Sequence, residues 1–166
     1  LPPNAATVYG LDDVAGYDSL QTGRYKAFVA QMDGGQEPSP QENGNMVFAR
    51  GPMSPQAVEA GARYIITAPQ GGPAVPPGLH DPVYSGPDAS IYENPTVNPL
   101  VKFNGAGSAF VVISQPTRLT VATTAAGVVN VSRQWYPGWR ALSEKGELPI
   151  QTGPDVFMSI TADSAR

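Results

Sequence analysis

Apolar and polar positions alternate with a period of two through much of the second half of this chain. Leu119, Val121 and Thr123 alternate with Arg118, Thr120 and Ala122, and Val129 and Val131 alternate with Asn130 and Ser132. Side chains on a strand point to opposite faces in turn, so this period predicts half-buried strands. Three are expected, over 109–114, 118–123 and 128–134. Their spacing of about ten residues is the rhythm of a β-sandwich. Segments 140–142, 148–151 and 156–160 supply further strands. Between them, Tyr136-Pro137-Gly138-Trp139 places Pro and then Gly at the centre of a type II turn.

The first half has a mixed pattern. Ala6 to Tyr9 is a short apolar stretch and predicts a strand, followed by a loop from Gly10 to Tyr17. Asp18, with Gln21 three residues on, has capping-box spacing and predicts a helix over 19–32. Leu20, Ala27 and Phe28 fall on its apolar face, Met32 extends that face, and Gly34-Gly35 ends the helix. Residues 36–46 have no period and read as a loop. Ser54-Pro55 starts a second, short helix, which Gly61 closes. The near-continuous apolar run from Arg63 to Ala68 predicts a central strand covered on both faces. Residues 69–82 are too rich in Pro and Gly for a regular element. Residues 82–94 then predict a hairpin around Gly86-Pro87-Asp88, and Asn94-Pro95 and Asn98-Pro99 start turns.

These elements predict an α+β fold: a small mixed α/β subdomain over 1–99, followed by an antiparallel β-sandwich over 100–166. Composition tests that picture. The 18 Gly and 18 Pro among 166 residues point toward disorder. A net charge of only −4 and 16 valines point the other way, toward a folded, strand-rich chain with many turns.

Composition also removes whole classes of chemistry. The chain has no Cys, hence no disulfide framework, thiolate metal site or Cys nucleophile, and its one His excludes a multi-histidine metal site. No metal and no cofactor are expected. The ten Lys and Arg are scattered, so no basic stripe reads nucleic acid. No apolar run is long enough to span a bilayer. The chain opens on Leu1 without a signal segment and stops soon after its last predicted strand, so it reads as a piece of a longer protein.

Two constellations remain as candidate ligand-binding sites. Asp12, Asp13 and Tyr17, in a loop with Asp18, could orient sugar hydroxyls or a hard cation, although the spacing does not fit a calcium loop. The plainer reading is a solvated turn with a helix cap. Trp135, Tyr136, Trp139 and Arg140 could stack on sugars or bases, or sit at a bilayer interface. The plainer reading is that the rings cap the sandwich core, with Arg140 lying over one of them. His80-Asp81 lies in a Pro-rich loop, adjacent residues rarely point the same way, and no nucleophilic Ser has a suitable context, so no catalytic residue is assigned. Asn130-Val131-Ser132 matches a glycosylation acceptor but falls within a predicted strand.

Three segments carry a resemblance: Tyr9-Gly10-Leu11-Asp12-Asp13-Val14-Ala15-Gly16-Tyr17-Asp18-Ser19-Leu20 with Arg24-Tyr25; Gly61-Ala62-Arg63-Tyr64-Ile65-Ile66-Thr67 with Ile91-Tyr92-Glu93-Asn94; and Trp135-Tyr136-Pro137-Gly138-Trp139-Arg140-Ala141. In order and separation they resemble the extracytoplasmic C-terminal region of the YfhO-type bacterial membrane protein family. That resemblance implies a polytopic parent similar to GT-C glycosyltransferases, which use lipid-phosphate-linked sugars outside the cytoplasmic membrane. The catalytic acid it implies lies in an early extracytoplasmic loop that is not in this chain. The chain departs from the family pattern at Ser143-Glu144-Lys145-Gly146-Glu147-Leu148-Pro149-Ile150, where a longer turn without the usual Asp is expected. It also lacks the family's final strand, so an exposed sandwich edge is expected.

The expected function is therefore an extracytoplasmic domain of a glycosyltransferase-like membrane protein in the bacterial cell envelope. It would support or recognise a glycan or lipid-linked sugar and be held at the membrane by the parent's transmembrane helices. Two alternatives are a secreted carbohydrate-binding module without catalytic activity, and a structural or adhesion module that pairs through an exposed edge.

Overall fold

The computed structural model describes residues 5–14, 16–17, 22–34, 46–47, 51–67, 78–152 and 156–163. The chain is α+β, with antiparallel sheets and short helices. The first element is a helix, α1 (Ala5–Val8), where a strand was expected. The amides of Tyr9 and Leu11 both donate to the Ala6 carbonyl, closing a local turn, and Gly10 at φ 68° ends it. Two alanines favour that helix, and α1 has no paired neighbour among the described residues.

Strand β1 (Gly16–Tyr17) pairs with β2 (Met46–Val47), and helix α2 spans Gly23–Met32. The N-cap of α2 is Thr22, whose Oγ1 accepts from the Tyr25 amide at 3.3 Å. The expected cap at Asp18 and Gln21, and Leu20 on the apolar face, lie outside the described residues. The buried face consists of Phe28, Val29 and Met32, while Ala27 is exposed; spacings of one, three and four set it. Helix α3 (Pro55–Ala60) matches its sequence signals. Ser54 Oγ accepts from the Ala57 amide at 3.2 Å, and Gly61 takes the left-handed φ of 75°.

Strands β3 (Tyr64–Thr67), β4 (Tyr84–Ser85) and β5 (Ser90–Glu93) form a sheet with β5 in the middle. The β4–β5 hairpin is the expected one. The expectation that β3 is central and covered on both faces is overturned: among the described residues it pairs only with β5, with Ile65 and Thr67 buried and Tyr64 and Ile66 exposed. Its apolar run is a one-faced edge strand carrying apolar side chains on its open face as well. Asn94, at the end of β5, is buried, and its Oδ1 accepts from the amide and hydroxyl of Thr96, fixing the Asn94-Pro95 turn.

The second half supplies β6 (Val101–Gly105), β7 (Ala109–Gln115), β8 (Arg118–Thr123), β9 (Gly127–Gln134), β10 (Ala141–Ser143), β11 (Gly146–Leu148), β12 (Ile150–Thr152) and β13 (Phe157–Ala162). One sheet has the order β12-β13-β9-β6, and β7 and β8 form a second layer. Val101, Val129, Val131 and Met158 are buried between them, with Ala109, Leu119 and Val121 packed from the second layer. Gly105 faces Gly127 across β6 and β9, and a Cβ on Gly127 would come within 2.5 Å of the Phe103 ring. The glycine pair makes room for that ring on the sheet.

The turn between β10 and β11 is shorter than expected. It has two residues, Glu144 and Lys145, and Ser143 Oγ both donates to the Gly146 carbonyl and accepts from the Lys145 amide. The Ser143 hydroxyl closes the turn. Strand β13 is internal, flanked by β12 and β9.

A second core gathers Phe28, Val29 and Met32 of α2, Ala57 of α3, and Val156 from the C-terminal segment. Phe157 packs there too, edge-on to Phe28 at 5.1 Å. The register shift in β13 falls between Phe157 and Met158, so Phe157 serves the helical core and Met158 the sandwich core. The helices also meet the chain at Gly51, where a Cβ would lie 1.8 Å from the Met32 carbonyl oxygen.

Candidate functional site

The loop Gly10–Asp13 leaves α1 and lies against the end of the β7–β8 hairpin. Together with Ser114, Gln115, Pro116 and Arg133 it lines a cleft of about 240 Å³. Two anchors set the loop. The Tyr25 hydroxyl donates to the Val14 carbonyl at 2.6 Å, tying the loop to α2. Arg133 on β9 reaches it from the other side, with Nη2 3.2 Å from Asp12 Oδ2.

Arg133 organises the cleft. Its side chain is only 11% exposed, against 72% for Asp12. Nη1 donates to the Gln115 carbonyl at 2.6 Å, and Nη2 donates to both Ser114 Oγ and Asp12 Oδ2. The guanidinium is thus held by the β7–β8 hairpin, and Asp12 is its one charged partner in these contacts. Burial, with a smaller contribution from the Asp13 charge, pushes the Tyr25 hydroxyl well above its ordinary value of 10, so it stays a neutral donor.

Of the residues singled out in the sequence, Asp12 and Asp13 share this cleft. The backbone of Tyr17 pairs with Met46, and its side chain lies outside the described residues, as does Asp18. The aromatic motif is not part of the cleft lining. Trp135 and Trp139 pack against the sandwich core, Tyr136 is exposed, and the Trp139 amide donates to the Tyr136 carbonyl across a turn with Gly138 at φ 120°. Among the described residues, Arg140 lies over none of these rings. It makes a two-pronged ion pair with Glu147, at 3.0 and 2.8 Å, which holds the Glu147 carboxyl below its ordinary range. His80 and Asp81 are both exposed.

Arg133 was not evident from the sequence. A lone Arg in an alternating strand reads as solvent-facing. The available signal was the run Ser132-Arg133-Gln134, three polar residues in succession where alternation should continue. All three reach the first half of the chain: Ser132 Oγ donates to the Glu59 carbonyl, Arg133 holds Asp12, and Gln134 Nε2 donates to Thr22 Oγ1 at 2.8 Å.

Among the described residues, no group of three His, Cys, Asp or Glu side chains is placed to hold a metal ion, and no helix is long and apolar enough to cross a membrane. Chemically, the cleft offers carboxylates, a hydroxyl, an amide and a fixed guanidinium at one opening. Such planar and hydroxyl groups suit a hydroxyl-rich ligand. No family model, curated protein or solved structure matches this chain.

Proposed function

We propose that this chain is a saccharide-recognition domain on the extracytoplasmic side of a bacterial envelope membrane protein of the YfhO type. In this reading it presents a glycan or lipid-linked sugar to a glycosyltransferase-like parent and performs no chemistry of its own. The observation that carries the reading is the cleft in which Asp12 and Asp13 meet Ser114, Gln115 and Arg133. The motifs around Asp12 and Trp135 support the family assignment. Trp135 and Trp139 are partly buried, each packed against the sandwich core, and neither lines the cleft, which favours the cleft over the aromatic motif as the site.

Two experiments test this. With envelope oligosaccharides added, amide NMR shifts should move at Gly10–Asp13 and Ser114–Gln115, and Asp12→Ala with Asp13→Ala should abolish them. The same double substitution in the full-length protein should lower glycosyl transfer. No shift with any saccharide, or full transfer by the double variant, would remove the proposal. Upstream coding sequence with about ten apolar segments of about 20 residues each is expected; a signal peptide alone would favour a secreted module.

A further inference from the structure

The sheet β3-β5-β4 carries apolar side chains on both faces, and among the described residues only one face is covered. Ile65, Thr67 and Tyr92 share the covered face and are buried. The alternate residues of the same strands make the other. Ile66, Ile91 and Tyr84 stand side by side across the three strands, and Tyr64 lies opposite Glu93 in the next row. This face stays open: Tyr64 is 56% exposed, Ile66 46% and Tyr84 54%, with Ile91 half-buried between them. An antiparallel sheet with one solvated face ordinarily makes that face polar. Here the charges stand at one end, where Arg63 pairs with Glu93 at 2.8 Å and lies over the Tyr64 ring at 5.5 Å.

We infer that a second copy of this chain covers the open face, the two three-stranded sheets stacking face to face about a two-fold axis. Charge and area select a second copy. The rim holds one cation and one anion, so the face has no net charge with which to attract a charged partner. It is complementary to itself: an isologous contact lets Arg63 of each copy meet Glu93 of the other. The Tyr64, Ile66, Tyr84 and Ile91 side chains offer on the order of 400 Å² per copy, and the pair would bury about 800–1,000 Å², the low end of specific interfaces. An area of that size supports a reversible dimer with a Kd on the order of 100 µM, not an obligate one. The inference is independent of the saccharide reading, because none of these residues lines the cleft.

The test is sedimentation equilibrium of the whole chain from about 5 to about 500 µM, a range that brackets this Kd and should carry the mass from monomer toward dimer. Ile66→Thr with Tyr84→Thr keeps β-branched residues in both strands while removing apolar surface, and should weaken the dimer at least about tenfold with the unfolding temperature of the dilute chain nearly unchanged. Arg63→Glu and Glu93→Arg probe the rim separately. Each alone should weaken self-association about fivefold, and an equimolar mixture of the two should restore it as a heterodimer. A wild-type chain still monomeric at the highest concentration, or a dimer that neither set of variants moves, would overturn the proposal. So would a monomeric chain that binds phosphatidylcholine vesicles and loses that binding with Ile66→Thr and Tyr84→Thr, which would assign the face to a lipid surface.

Discussion

Tyr25 shows how one half-buried side chain couples stability to the candidate site. Its ring stacks on Phe28 at 6.3 Å within the helical core, while its hydroxyl holds the Val14 carbonyl next to Asp13. Burial raises its ionisation above the ordinary value of 10. A group whose folded value is raised contributes stability that is fully present below its unfolded value and is lost as pH rises past it. Tyr25 therefore supports the fold up to about pH 10 and withdraws that support above it. Tyr25→Phe should lose about 1–2 kcal/mol at pH 7 by orphaning the Val14 carbonyl. It should also flatten the fall in stability above pH 10, as read by urea unfolding at a series of pH values. An equal fall in both proteins would rule out Tyr25 as its source. Little of this was legible in sequence. Tyr25 was noted only as part of a resemblance, because a partner eleven residues away leaves no local pattern.

At the scale of elements, legibility followed how local the cause was. Helix α3 was readable because Ser54, Pro55 and Gly61 settle its two ends through backbone geometry alone. Strands β8 and β9 were readable because burial on one face imposes a period of two, whereas β7 was read from its apolar content and its spacing from them. The central position expected for β3 failed because an apolar run records hydrophobicity and not the number of neighbours a strand has. The aromatic turn shows the same division. Gly138 and Pro137 announced the turn, but whether the rings face a ligand or the core depends on the sheet beneath them. Trp139→Ala should cost about 2 kcal/mol of stability, because the half-buried ring packs against the sandwich core cluster. Tyr136→Ala should cost less than about 0.5 kcal/mol, because that ring is exposed. Thermal unfolding of both variants checks this, and equal losses would contradict the packing described for Trp139.

At the scale of the molecule, the two halves drawn from sequence are tied together at several points along the second-half sheet. Ser132, Arg133 and Gln134 of β9 reach α3, the Gly10–Asp13 loop and the N-cap of α2 in turn. Val156 and Phe157 complete the helical core from the far end of the chain. The candidate cleft exists only because these ties press the loop from the first half against a hairpin of the second. Its stability is therefore a property of the whole chain. Phe157→Ala removes the edge-on partner of Phe28 and should cost about 3 kcal/mol. Because Met158, the next residue, is buried in the sandwich core, that loss should lower a single shared unfolding transition. Calorimetry of the variant distinguishes the cases. One transition at a lower temperature is the outcome expected of halves that fold together. Two transitions, with the second unmoved, would mean that the sandwich stands alone and that the cleft opens and closes with the helical half.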